Sequence, residues 1–169
     1  MKLVFLSIVL VVTFARGLSS ESQVNYPVDP SIAGVWYNEL GSRMDIYDMS
    51  AVMGEFSGLY HTIVGVACRK YPVVGRYDTT GNETHGTVGF TVQWQNYYLN
   101  SNSTTTWCGQ RLLLDRGPTI TTTWLLTRAT TPADAWGATQ IGKDIFTRSP
   151  QQEISDSSYG RHVAKNCTI

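Results

Sequence analysis

Four of the five tryptophans in this chain, Trp94, Trp107, Trp124 and Trp136, stand within or just after segments that alternate apolar and polar, and Trp107 and Trp124 each directly follow a run of three threonines. An indole is large and its N–H needs a partner when buried, so several on one face of a small sheet wall a cavity more readily than they fill a core. The inward positions of the same segments carry uncharged donors and acceptors, Asn38, Ser42, Tyr60, Thr62, Ser103 and Thr105, and one acid, Asp144. A dry core prefers aliphatic side chains, because an unpartnered buried hydroxyl or amide costs about 1–3 kcal/mol. Polar groups at this density beside so many indoles point to a cage for a small polar ligand.

Other chemistries find little support. His61, His85 and His162 are far apart, without metal-ligand spacing or a cysteine partner pattern, so no metal is expected. No nucleophile elbow accompanies a triad candidate and no second acid is placed to pair with Asp144, so no catalysis is expected either. Lys plus Arg is 13 and Asp plus Glu is 13, which leaves a formal charge of zero and no field to attract nucleic acid or an anionic membrane.

Eight short β-like runs must position these residues: Val35–Asn38, Met44–Asp48, Phe56–Thr62, Tyr71–Tyr77, Thr87–Trp94, Thr104–Leu114, Thr119–Thr127 and Thr139–Thr147. Between them lie Gly41-Ser42, Gly54, Thr80-Gly81-Asn82, Asn100 to Asn102 and Arg116-Gly117-Pro118, which are hairpin punctuation. Period two puts Val88, Phe90, Val92 and Trp94 on one face and Thr87, Gly89, Thr91 and Gln93 on the other. The same split sets Ile120, Thr122, Trp124 and Leu126 against Thr119, Thr121, Thr123 and Leu125. Eight consecutive strands of this kind predict an all-β, antiparallel up-and-down barrel, closed so that it has no edges and wide enough for one small ligand. A sandwich is the alternative. Trp36, Phe56, Tyr71, Tyr77 and Phe90 are read as packing.

Seven strings then carry a resemblance: GVWYNELGS at 34 to 42, GLYHTIVG at 58 to 65, VGRYD at 74 to 78, GFTVQWQN at 89 to 96, TTTWCGQ at 104 to 110, TTTWLLT at 121 to 127 and AWGATQIGKDIFTR at 135 to 148. In order and across nearly the whole domain, taken as residues 33–148, they resemble the avidin and streptavidin family. The resemblance implies a biotin-binding homotetramer of eight-stranded barrels that is not an enzyme and uses biotin as ligand rather than cofactor. It implies that Asn38, Ser42 and Tyr60 donate to the ureido oxygen, and that Thr62 and Asp144 accept from the ureido N–H groups. Thr105 then lies near the ring sulfur. Ser103 and the backbone of Val66 meet the carboxylate, Trp94, Trp107 and Trp124 wall the pocket, and Trp136 reaches a neighbouring subunit's site. Sequestration of biotin as a defence is the implied purpose. Two features depart from the family pattern: Leu99 stands where streptavidin has an arginine, and Cys68 and Cys108 have no counterparts in the matched streptavidin strings. The less cationic rim motivates a second reading, a barrel that takes a different small hydrophobic ligand or a cell-surface partner.

At the amino end, Lys2 followed by the apolar run Leu3 to Val12 and small residues at Ala15 and Gly17 reads as a signal peptide over residues 1–17, hence a secreted protein. Secretion makes Cys68, Cys108 and Cys167 candidates for disulfides, and an odd count leaves their pairing open. Asn82-Glu83-Thr84, Asn102-Ser103-Thr104 and Asn166-Cys167-Thr168 are glycosylation sequons. Residues 149–169 are polar and aperiodic, and read as a flexible tail.

Overall fold

Eight antiparallel strands close on themselves in chain order, with the first paired to the last. They are β1 (Gly34–Asn38), β2 (Arg43–Ser50), β3 (Glu55–His61), β4 (Lys70–Tyr77), β5 (His85–Asn96), β6 (Ser101–Leu114), β7 (Gly117–Arg128) and β8 (Thr139–Thr147). A 3-10 helix, Pro132–Gly137, lies between β7 and β8. The computed structural model describes residues 32–63, 69–80, 84–96 and 101–150. The expected signal peptide, Val66, Cys68, Leu99, Cys167, the sequons at Asn82 and Asn166, and the tail from residue 151 lie outside the described residues.

Alternation decides what faces inward. Val88, Phe90, Val92 and Trp94 of β5 are all buried, and each meets an inward residue of β6 in register: Phe90 pairs with Trp107, Val92 with Thr105 and Trp94 with Ser103. Outward threonines pair across strands instead, Thr91 with Thr106 at 2.7 Å and Thr127 with Thr139 at 2.9 Å between hydroxyl oxygens, which ties neighbouring strands together on the wet face. Thr119 departs from its expected outward position. It sits just inside the start of β7, turns its hydroxyl back to the Gly117 carbonyl at 3.3 Å and is buried.

β2 contains a bulge between Ile46 and Asp48, where Tyr47 has no partner in the register with β3. The extra residue shifts the alternation by one, so that Met49 rather than Asp48 packs against the core while Tyr47 points to solvent. A strict period of two would have placed a carboxylate inside.

The β1–β8 seam is the shortest in the barrel, with two register pairs, Tyr37 with Thr147 and Asn38 with Phe146. Arg148 reinforces it. Its guanidinium donates to the carbonyls of Ala33 at 2.7 Å and Val35 at 3.2 Å and lies 3.7 Å from the centre of the Trp36 ring, a stacked cation. Trp36 is fully buried, and its indole donates to the Ile32 carbonyl at 2.8 Å, so this tryptophan is the packed floor of the barrel, as expected.

Candidate functional site

The hairpins β1–β2, β3–β4, β5–β6 and β7–β8 all turn at one end of the barrel, and the sequence-derived polar set gathers toward that end. The β1–β2 turn shows how. Asn38 accepts the backbone N–H of Ser42 at 2.8 Å and of Leu40 at 3.2 Å on its side-chain oxygen, and Gly41 completes the turn with a φ of 85°, which L side chains rarely adopt. A Cβ at Gly41 would also approach Ile63 to 3.1 Å. With its oxygen committed to the turn, the Asn38 amide presents its nitrogen as the donor end. The same turn buries Ser42, whose hydroxyl donates to Thr62 at 3.4 Å and is hydrogen-bonded with Tyr60.

Burial, then the negative charge of Asp144, hold the Tyr60 phenol well above its ordinary range. Tyr60 is therefore a protonated donor at any physiological pH. Asn38, Ser42 and Tyr60 thus form one buried group rich in donors, fed by β1, the β1–β2 turn and β3.

Asp144 on β8 is the one buried carboxylate among the described residues. Its two oxygens are separately held: the Trp107 indole donates to Oδ2 at 2.8 Å, and the Trp124 indole to Oδ1 at 3.1 Å. Thr122 donates to the Asp144 backbone carbonyl at 3.1 Å. Each carboxylate oxygen has a second lone pair, so the group keeps capacity to accept from a ligand. The third wall indole, Trp94, donates to Thr105 at 2.7 Å. Sequence alone set the indoles apart from the polar residues; in the structure they are one network, because each indole N–H needed an acceptor and the inward polar residues supplied it.

Aromatic contacts complete the cage. Tyr60 stacks on Trp107 with ring centres 5.4 Å apart and meets Trp94 edge-on at 5.5 Å, while Phe90 stacks beneath Trp107 at 5.0 Å. Trp124 is partly buried and lies over Gly142, its register partner on β8; any Cβ there would run into the indole. Gly142 is a site residue that sequence reading passed over. Its signal was present: a glycine at an inward position, two residues before Asp144 and opposite a tryptophan.

Ser103 is half-buried at the open end, beside the exposed sequon residue Asn102. Trp136 stands apart from the other three. It sits on the 3-10 helix and is 91% exposed, so it has no part in the cage of its own chain. Cys108 is exposed and free on the outer face of β6. Glu39, also passed over, accepts the Ile145 backbone N–H at 2.9 Å and so adds a side-chain rung to the short β1–β8 seam. Burial, together with the nearby Asp144 charge, raises its carboxyl above the ordinary value, with the Ile145 bond opposing.

Comparison with known proteins agrees with this architecture. The family model described as the Avidin family matches residues 27–149. Avidin of Gallus gallus is 37% identical over 128 residues, 73% of this chain and 81% of that protein. Afifavidin of Afifella pfennigii is 34% identical over 121 residues, 70% of this chain and 69% of that protein. Fibropellin-1 of Strongylocentrotus purpuratus is 30% identical over 123 residues, 71% of this chain but 11% of that longer protein.

Proposed function

This chain belongs to the avidin family, and from that premise we propose that it is a secreted protein that binds biotin in the cage and sequesters it. It is a binder and not a catalyst, as the family is. The observation that carries the reading is the polarity of the cage: Asn38, Ser42 and Tyr60 form one buried polar group, and the acceptor Asp144 stands across the Trp107 indole, which stacks on Tyr60 with ring centres 5.4 Å apart and donates to Asp144 at 2.8 Å. A cyclic urea has the complementary pattern, one carbonyl oxygen and two N–H groups. Donors on the oxygen favour the resonance form with negative charge there, and an anionic acceptor at an N–H favours the same form from the other side. Thr62 takes the second N–H, Thr105 lies near the ring sulfur, and Ser103 and the Val66 backbone hold the carboxylate. Trp94, Trp107 and Trp124 exclude water around them.

Assembly belongs to the same proposal. A tryptophan as exposed as Trp136 is costly to leave in water, and in a homotetramer it closes a neighbour's cage. Leu125 and Ile141, register partners on the outer faces of β7 and β8, are also exposed and give the barrel an apolar surface for a second copy. Secretion rests on the amino-terminal leader pattern, and defence by biotin deprivation is the purpose that fits a secreted sequestering protein.

Retention on biotin-agarose, released by free biotin, is the expected result. Passage of folded protein through that resin would refute the assignment.

A further inference from the structure

Of the three glycosylation sequons, Asn102-Ser103-Thr104 is the one whose residues all lie among those described. It opens β6: Asn102 is the second residue of that strand and is exposed on the outer wall, while Ser103 pairs in register with the inward Trp94. Adjacent residues of a strand point to opposite faces, so a group attached to the Asn102 side chain stands outside the barrel and leaves Ser103 at the mouth.

The surroundings of Asn102 suit an attached sugar. Its side-chain oxygen Oδ1 accepts from Gln93 Nε2 at 3.5 Å, and Gln93 Oε1 accepts the Thr104 hydroxyl at 2.9 Å. One glutamine thus reaches both the first and the third residue of the sequon, and the Asn102 side-chain nitrogen has no hydrogen-bond partner among the described residues. The outward neighbours are uncharged and polar: Gln93 on β5, Thr104 on β6 and, in register with Thr104, the exposed Thr127 on β7. A sugar there takes the place of water and covers no apolar side chain.

We propose that Asn102 carries an N-linked oligosaccharide, added before the barrel closes, and that the outer wall around it stays in solvent in the assembled protein. The chemistry is one group transfer. Asn102 Nδ2 bonds to C1 of the first sugar of a lipid-diphosphate-linked oligosaccharide, the C1–O bond to the diphosphate breaks, the lipid diphosphate leaves with the bonding electrons, and the amide gives up one proton. The leader pattern over residues 1–17 brings the chain to the secretory compartment, where such a donor is used. Timing follows from the fold. In the closed barrel the Ala129 backbone N–H donates to the Asn102 carbonyl at 2.9 Å and Gln93 engages the Thr104 hydroxyl, so the sequon is no longer free to enter a second enzyme's site. Solvent exposure in the oligomer rests on the assembly proposed above, whereas the modification is independent of assembly and of biotin.

The full chain with its own leader is secreted from a eukaryotic cell line as wild type, Asn102→Gln, Thr104→Ala and Thr104→Ser, and intact masses are compared before and after peptide-N-glycosidase. Wild type and T104S are expected to carry one oligosaccharide more than N102Q and T104A, with the difference removed by the enzyme and deamidation at Asn102 marking the site. Wild type and N102Q should be retained alike on biotin-agarose and sediment as the same oligomer. Equal masses for secreted wild type and N102Q overturn the modification and leave the biotin assignment standing. An N102Q oligomer larger than that of the glycosylated protein overturns the solvent-facing placement, because the sugar then blocks a contact. Passage of both proteins through biotin-agarose overturns the biotin assignment and leaves the sugar at Asn102 standing.

Discussion

The indole N–H of Trp107 donates to Oδ2 of Asp144 at 2.8 Å, and this bond crosses the interior from β6 to β8, passing over the intervening β7. A wall residue and the charged acceptor are thereby a single unit: neither can move without the other. Pre-setting an acceptor in this way lowers the ordering cost at the moment of binding.

Asp144→Ala should therefore harm the free protein as well as the complex. The buried Trp107 indole N–H loses its acceptor, at about 1–3 kcal/mol, the part-buried Trp124 indole loses its own at a smaller cost, and the ligand loses its charged partner. Biotin affinity is expected to fall by more than about a hundredfold, whereas Ser103→Ala at the wetter rim should cost about tenfold or less. Calorimetry on both variants checks the order, with denaturant melts of the ligand-free forms; equal losses of affinity would contradict the roles assigned.

Gly142→Ala tests the placement of Trp124. The added methyl occupies the space of the indole, so the ring must leave and its bond to Asp144 Oδ1 must break. Overpacking of this kind costs about 1–3 kcal/mol. A lower denaturation midpoint with a shifted tryptophan emission is expected, and an unchanged spectrum would show that Trp124 does not lie on Gly142.

Trp136→Lys should separate assembly from folding. Because the side chain is 91% exposed in one chain, barrel stability within a protomer should hardly change. Biotin release should accelerate and the oligomer should weaken in sedimentation. A native off-rate would place Trp136 outside a shared site.

Glu39 gives a pH signature. Its carboxyl is raised from the ordinary 4.5, chiefly by burial and with Asp144 adding to it, so the folded state prefers the protonated form. The stability this confers is full below 4.5 and is lost as pH rises through the raised value. Glu39→Gln keeps an oxygen for the Ile145 N–H and removes the charge. It should melt higher than wild type at pH 7 and no higher at pH 4, by a modest margin because the side chain is half exposed to screening solvent. A gain that is the same at both pH values would rule out the ionisation as its source.

Most of this architecture was legible in the sequence because a barrel wall is a repeated decision between two faces. Val88 to Trp94 and Ile120 to Trp124 announce their inward side through period two, and the turn residues announce the hairpins. Tyr47 shows where that reading runs out: a bulge depends on what the neighbouring strand can accommodate, which no local pattern records. Most of the inward residues named from the sequence come together in the structure, with Trp136 apart and Val66 outside the described residues, but which of them bond to one another was not legible. Whether Trp107 meets Asp144 or a solvent molecule depends on the register of three strands, and whether Tyr71 keeps a partner depends on every strand that surrounds it.

The most direct measurement is a titration of the folded protein with biotin, followed by tryptophan fluorescence. With Trp94, Trp107 and Trp124 around the ligand, emission should change linearly and stop sharply at one biotin per chain. Emission that does not respond to biotin at any ratio would contradict the assignment of this cage.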